Sequence, residues 1–283
     1  MKDLIAQVTV CEMLNKDFAR ITIDAPEIAE TCKPGQFVHI RCGQGVYSLM
    51  RRPISVYQVK DKTLVLLFQI KGEGTKWLSR RRPGDFVDLI GPLGQGFTLP
   101  EKGPVWAVAG GIGIAPLCFL VQEIRQKNIP LVMFFGARSK DSLCLIEEIK
   151  NWGVDIRIAT EDGSAGVRGF VTELFEKSLY ASKPEAIYAC GPESMLKTVV
   201  NLAKDLGVES QVSLEERMAC GIGICRTCAV AVKREPQVEI EAVLEVIKNE
   251  IDTVVVRHEP EFDYDRCCIE GPVFPAEVVE WQI

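Results

Sequence analysis

The sequence predicts a multidomain chain: an N-terminal antiparallel β-barrel, a doubly wound α/β parallel sheet and a small C-terminal domain built around cysteines. Three observations predict it. Residues 1–99 read as short runs of β-branched and aromatic residues separated by turn signals. Residues 100–212 alternate buried-type strands with helical stretches. Residues 213–283 hold five of the eleven cysteines.

In the first region, strands are expected at Val8–Val10, Ala19–Ile23, Phe37–Ile40, Ile54–Tyr57 and Leu64–Phe68. The turns between them are Lys33–Pro34–Gly35, Gly43–Gln44–Gly45, Lys60–Asp61–Lys62 and Pro83–Gly84–Asp85. One helical turn, Thr75–Ser79, interrupts the strands, and Gly91–Phe97 closes the region. In the second region, strands are expected at Val105–Ala109, Leu131–Phe135, Ile156–Ala159 and Ala186–Ala189. Helices are expected at Pro116–Lys127, Ser142–Trp152, Phe170–Lys177 and Glu193–Leu206. Strand–helix alternation of this kind builds a parallel sheet wound in both directions.

Composition narrows the function classes. A formal net charge of −6 argues against a general nucleic-acid binder, because phosphate would be repelled. It leaves room for phosphate cofactors, which need only a local Arg and backbone N–H groups. The N-terminal segment lacks the apolar core and small-residue cleavage site of a secretory signal, so a cytoplasmic protein is expected. Gly103–Gln122 carries no charge and is long enough to cross a membrane. Its four glycines and two prolines fit a strand, a turn and a helix start better, and no membrane partner is expected. Reduced thiols or metal ligands are expected rather than disulfides. Cys11, Cys32, Cys42, Cys118 and Cys144 stand alone and read as small buried hydrophobes.

The cysteines with chemistry are Cys220, Cys225 and Cys228. Their C-x4-C-x2-C spacing is that of plant-type [2Fe–2S] clusters. Gly221 and Gly223 let the loop wrap such a cluster and aim N–H groups at its sulfurs. A structural zinc site usually has two C-x2-C knuckles, and only one is present. A fourth thiolate has to come from Cys267 or Cys268.

A dinucleotide-type flavin site is expected in the first region. Arg52, followed by Pro53 and Ile54, can clamp a pyrophosphate, and the Ser55 hydroxyl can reach a flavin ring edge. Gly72 and Gly74, with Thr75, bare backbone N–H groups before the helical turn, and Gln69, Ile70 and Lys71 lead into it. Without a ligand, the first group is a surface Arg beside an edge-strand Pro. A nicotinamide site is expected from Gly110, Gly111 and Gly113 between a buried strand and a helix, and from Cys190, Gly191 and Pro192 at another strand end. There the Cys190 thiol can face a nicotinamide ring. The glycine group also reads as a tight strand–helix turn without a ligand, and Cys190 as a structural cysteine. The loop Glu161–Ser164 can edge the same cleft, and Arg138 and Ser139 stand where a ribose 2′-group would lie, which leaves NAD against NADP open.

With these residues in place, the chain resembles the ferredoxin–NADP reductase superfamily over residues 1–212. More closely, it is similar over nearly its whole length to the electron-transfer subunits of class 1B dihydroorotate dehydrogenase. The landmarks are Arg52–Ser55, Gly72–Thr75, Gly110–Gly113, Cys190–Pro192, Glu216–Gly221 and Cys268–Phe274. The resemblance implies FAD, NAD and a [2Fe–2S] cluster, with Cys268 as the fourth ligand and Ser55 and Cys190 as the residues at the reacting rings. It implies a partner subunit with FMN that oxidises dihydroorotate in pyrimidine biosynthesis, in an assembly of two copies of each. Electrons would then run through the cluster to FAD and on to NAD+.

One feature departs from the family pattern: 39 residues separate Cys228 from Cys268. The excess, about 236–265, carries Ile240, Val243, Leu244, Ile247 and Ile251 at helical spacing, then a strand-like Thr253–Val256. A related subunit serving a ferredoxin or sulfide-type partner is the second reading. Relatives of that kind often replace the first cluster cysteine with Asp, so Cys220 favours the first. A redox-sensing module without turnover is the third, and three intact cofactor motifs argue against it.

Overall fold

The computed structural model describes residues 1–43, 49–233 and 262–281. In chain order the barrel contains β1 (Lys2–Met13), β2 (Phe18–Asp24), the short helix α1 (Pro26–Ala29), β3 (Phe37–Ile40), β4 (Arg52–Lys60), β5 (Thr63–Gln69), α2 (Glu73–Ser79) and β6 (Phe86–Leu93). The six strands close in the order β1-β2-β5-β4-β3-β6, antiparallel throughout. Alternation along the strands sends Val38, Ile40, Ile54, Val56, Leu64 and Leu66 into one core. The opposite face of β3 and β4 presents Phe37, His39, Pro53 and Ser55, paired as Phe37 with Ser55 and His39 with Pro53.

The second unit runs β7 (Val105–Gly110), α3 (Ile114–Gln126), β8 (Leu131–Ala137), α4 (Ile146–Asn151), β9 (Asp155–Thr160), β10 (Val167–Arg168), α5 (Val171–Ala181), β11 (Ala186–Cys190), α6 (Glu193–Asp205) and β12 (Glu209–Ser213). Its sheet order is β10-β9-β8-β7-β11-β12, all parallel. The winding direction reverses between β7 and β11, and ligands in such sheets lie beyond the strand ends at that point. The last elements are β13 (Ala229–Lys233), β14 (Phe262–Arg266) and β15 (Val273–Pro275). β15 adds to the sheet edge antiparallel to β12, which fastens the cysteine-rich tail to the nucleotide unit.

The charge-free stretch is explained by α3, which is buried on nearly every side from Ile114 to Val121. It lies between the sheet and the barrel: Leu117 and Leu120 pack with the sheet core, while Phe119 packs with the barrel core. No helix among the described residues is long and apolar enough to cross a membrane.

Two expectations change. The helix expected over Ser142–Trp152 starts only at Ile146, because Leu145 takes a left-handed backbone (φ 66°) and Lys140–Ser142 forms a separate 3-10 turn. Of the five lone cysteines, Cys42, Cys118 and Cys144 are buried, but Cys11 and Cys32 are only half-buried. The sequence reading of residues 236–261 lies outside the described residues. The base of that excursion is defined, since Lys233 pairs with Phe262 across the β13–β14 hairpin. The chain therefore leaves and returns at one place, and the extra length does not displace Cys228 from Cys268.

Candidate functional site

Two clefts meet between the barrel and the sheet. The smaller, about 440 Å³, is lined by Arg52, Pro53, Ile54, Ser55, Gly72, Gly74, Thr75 and Cys190. The larger, about 840 Å³, is lined by Gly110, Gly111, Arg138, Glu161, Gly191 and Pro192. Gln69, Lys71, Ile112 and Glu215 line both, so these four side chains mark the junction.

The smaller cleft has an anion corner at one end. Arg52 packs so closely on Gly74 that a Cβ there would lie 3.0 Å from the Arg52 Nε. Arg52 Nη1 donates to the Met50 carbonyl at 2.6 Å and to the Arg51 carbonyl at 3.2 Å, which fixes the guanidinium. Its neighbour Arg51 is committed elsewhere, with Nη2 2.6 Å from Asp88 Oδ1. The Gly72 N–H is not bare as expected. Thr75 Oγ1 accepts from the backbone N–H of Lys71 (3.0 Å) and of Gly72 (3.2 Å). The N–H groups left for an anion are those of the first turn of α2, which have no intrahelical partner. Ile70 lines neither cleft: its side chain packs on the barrel core, and its N–H donates to the Asp17 carbonyl at 2.8 Å. Strand alternation separates it from Gln69 and Lys71.

The larger cleft opens on the glycine turn. Gly111 has φ +54° and nothing within 4 Å of a Cβ position, so its backbone faces open space. Gly113 does the opposite and lines neither cleft. A Cβ there would lie 2.2 Å from the Cys190 carbonyl, so this glycine lets α3 begin hard against the end of β11. Arg138 and Glu161 both line this cleft, and Ser139 does not. The Glu161–Ser164 loop is braced: the Ser164 N–H and hydroxyl donate to Asp162 Oδ1 at 2.9 and 2.6 Å. Those bonds hold the Asp162 carboxyl below its ordinary range.

Cys190 sits at the end of β11 with its side chain toward the smaller cleft, almost fully buried. Burial pushes its thiol well up, and the nearby Glu215 carboxylate adds to the rise. Glu215 stands in the cleft just past β12; the surrounding walls raise its carboxyl pKa, and the Lys71 ammonium opposes that. Sequence reading missed Glu215. The signal was its place between a strand end and the thiol loop, where a side chain must face the junction.

The thiol loop lies beside the smaller cleft, which Met218 and Pro272 also line. The Cys225 N–H donates to Cys220 Sγ at 3.4 Å, and the Thr227 hydroxyl donates to Cys225 Sγ at 3.2 Å. The Thr227 bonds and those at Cys220 lower the Cys225 thiol to about 6. On the other side, the Cys268 thiol is pushed up to about 12 by burial and by the Cys228 thiol beside it. Cys267 Sγ lies 3.6 Å from the Leu214 carbonyl, and burial and the Cys228 thiol push its pKa up. The tail is held by Arg266, whose Nη1 donates to the Gly223 carbonyl at 2.9 Å and whose Nη2 pairs with Glu270. Among the described residues no group of three His, Cys, Asp or Glu side chains is arranged to hold one metal ion. Two thiol pairs, Cys220 with Cys225 and Cys228 with Cys268, instead fit two iron atoms with two thiolates each.

A closed flavin-type barrel, a nucleotide-binding sheet and a paired-thiol loop define an oxidoreductase of the ferredoxin–NADP reductase type with an iron–sulfur appendage. Residues 107–201 match the family model of the oxidoreductase NAD-binding domain. Residues 215–243 match that of the iron–sulfur cluster binding domain of dihydroorotate dehydrogenase B. The chain is 40% identical over 280 residues to a dihydroorotate dehydrogenase B (NAD(+)) electron transfer subunit from Desulforamulus reducens, covering 98% of each chain. It is 34% identical to the subunit of the same name from Fusobacterium nucleatum, over 94% of this chain and 93% of that one. Among solved structures, an NADH-dependent reduced ferredoxin–NADP oxidoreductase superposes with a TM-score of 0.80 at 26% identity, over 98% of this chain and 90% of that one. A ferredoxin NADP+ reductase from Neisseria gonorrhoeae shares the fold, with a TM-score of 0.61 at 19% identity over 73% of this chain and 92% of that one. The chain belongs to the family of dihydroorotate dehydrogenase B electron transfer subunits.

Proposed function

We propose that this chain carries electrons between NAD and a partner subunit that oxidises dihydroorotate. The observation that carries this reading is the junction: Ser55 on the barrel and Cys190 on the sheet line one cleft, the glycine turn opens the other, and the thiol loop lies beside them. FAD and the [2Fe–2S] cluster, when bound, supply the conversion between hydride and single-electron chemistry. Residues 1–99, 100–212 and 213–283 serve as the flavin, nucleotide and cluster units.

Each residue has a task in that frame. Arg52 and the first turn of α2 hold the flavin pyrophosphate by charge and N–H donation. Pro53 and Ile54 wall the ring pocket, and the Ser55 hydroxyl serves the ring edge. Gly111 gives the NAD pyrophosphate access to backbone N–H groups. Gly191 and Pro192 shape the path to the junction, where the Cys190 thiol packs against the nicotinamide and stays neutral because it is buried. Glu215 and Lys71 set the charge there, placing a carboxylate and an ammonium of opposed influence where the two clefts meet. Cys220, Cys225, Cys228 and Cys268 hold the cluster.

The partner is an FMN-containing catalytic subunit, two of each subunit assembling in the cytoplasm. The support is the names of the relatives, which are electron transfer subunits of dihydroorotate dehydrogenase B. The test is activity of the purified chain with and without its partner. Alone, it should oxidise NADH with an artificial acceptor and leave dihydroorotate untouched. Dihydroorotate oxidation by the partner-free chain would overturn the division of labour.

A further inference from the structure

His39 is the one fully buried histidine among the described residues, and neither ring nitrogen has a hydrogen-bond partner. Buried polar atoms in native structures almost always have partners, so an imidazole orphaned at both nitrogens calls for a physical reason. Its position supplies one. It projects from the outer face of β3, in register with Pro53 and two residues from Phe37, and both of those line the smaller cleft. The opposite side of the ring carries Gly221, the residue after Cys220. A Cβ at Gly221 would lie 2.4 Å from His39 Nδ1, and Gly221 has φ +70°, so backbone alone can lie on the ring there. A single side chain therefore fills the space between the wall of the flavin cleft and the first thiolate of the loop. The Cys220 backbone, and on the barrel side the Arg51 backbone, approach the ring without reaching hydrogen-bond geometry.

We infer that His39 is a positioning residue for the cluster: its ring seats the Cys220 end of the loop against the flavin unit, and its N–H is donated to the Cys220 segment when the loop is loaded. An apolar ring would serve as a spacer without the cost of burying two polar atoms, so the imidazole is explained by a partner that the loaded loop provides. A donor N–H held at the Cys220 segment, beside the first cluster ligand, offsets the negative charge of the reduced state and raises the potential. This inference rests on the reading of the loop as a [2Fe–2S] site.

The sequence contains two histidines, His39 and His258, which makes isotope labelling decisive. The full chain carrying His258→Gln is grown with isotopically labelled histidine, reduced, and examined by pulsed EPR. A weak histidine-nitrogen coupling to the reduced cluster is expected, and its absence would overturn the inference. In a redox titration, His39→Phe should shift the cluster to lower potential, while His39→Asn, which keeps an N–H, should return it toward the parent value. Direct NADH oxidation with a flavin-level dye should be unchanged in both. A parent potential in His39→Phe would count against the proposal even if labelling showed proximity. A chain that carries no cluster signal at all would instead overturn the reading on which the inference rests, and the inference with it.

Discussion

Cys267 Sγ lies 3.6 Å from the Leu214 carbonyl, and the Cys267 N–H donates to the Cys228 carbonyl at 2.8 Å. Its neighbour Cys268 meets Cys228. Both lie in the turn that follows β14; Cys268 is the proposed cluster ligand, while Cys267 engages the Leu214 carbonyl. Cys268→Ser should bleach the visible absorption and EPR signal of the cluster. Cys267→Ser should leave both nearly unchanged and cost about 1 kcal/mol of stability for a buried hydroxyl with a carbonyl partner. Loss of the cluster in the second variant alone would place the ligand one residue earlier.

Arg52 and Gly74 form one corner, with only 3.0 Å between the Arg52 Nε and a Cβ at position 74. Arg52→Ala should lower flavin occupancy and leave the cluster chromophore intact. Gly74→Ala should weaken flavin binding too, because the new methyl pushes the guanidinium aside. Flavin content measured after gel filtration, with released flavin identified by chromatography, reads both. Full retention of flavin by Arg52→Ala would remove this residue from the pyrophosphate site.

Much of this arrangement was legible in the sequence, and the parts that were not have a common cause. The thiol spacing, the glycine turn at Gly110–Gly113 and the strand-end Cys190 are local patterns, and local patterns survive in a one-dimensional reading. No strand is expected over Phe86–Ile90, and Gly91–Phe97 is expected only to close the region; pairing with β1 and β3 makes Phe86–Leu93 a strand. β15 is three residues long and exists through its pairing with β12. Ile70 was grouped with Gln69 and Lys71 by adjacency, although alternation turns it to the other side. Glu215 and His39 acquire meaning through what the fold brings to them, from Lys71 and Cys190 in one case and from Gly221 in the other.

The glycines of the turn should separate binding from stability. Gly111→Ala introduces a methyl into open space at a positive φ, at a cost of about 1 kcal/mol. It should raise the KM for NADH with a small change in thermal stability, because the methyl would stand where the NAD phosphate is proposed to approach. Gly113→Ala drives a methyl into the Cys190 carbonyl 2.2 Å away and should cost about 1–3 kcal/mol. Thermal melts paired with NADH titrations distinguish the two. Equal behaviour of both variants would contradict the different tasks assigned to them.

Cys190 is buried beside a carboxylate, and both effects keep its thiol protonated. Iodoacetamide at about pH 8, where an ordinary thiol is partly ionised, should leave Cys190 unmodified in the folded chain. Peptide mapping after alkylation measures this. Cys190→Ser should slow NADH oxidation about tenfold or more while flavin and cluster spectra stay as in the parent, if the thiol packs against the reacting ring as proposed. Rapid alkylation of Cys190 would contradict the burial on which its proposed role depends.

The relative placement of the two clefts depends on Glu148, which reaches from α4 to the barrel. Its Oε1 accepts from the Tyr57 hydroxyl at 2.6 Å, and its Oε2 lies 2.7 Å from Arg20 Nη1. Tyr57 is fully buried and stands two residues from Ser55 on the same face of β4, so the carboxylate grips the strand that serves the flavin ring. Arg20 is held a second time by Glu12 at 2.7 Å and stays charged. Glu148→Ala strands a buried phenol and one side of a guanidinium, a loss of about 2 kcal/mol. Glu148→Gln keeps an acceptor for Tyr57 and should lose less. Because the alanine variant frees the nucleotide unit to shift against the barrel, the rate of flavin reduction by NADH should fall, with flavin content and cluster EPR unchanged. Stopped-flow reduction beside a thermal melt tests both parts. An alanine variant that melts earlier but reduces its flavin at the parent rate would show that Glu148 stabilises the fold without setting the geometry of hydride transfer.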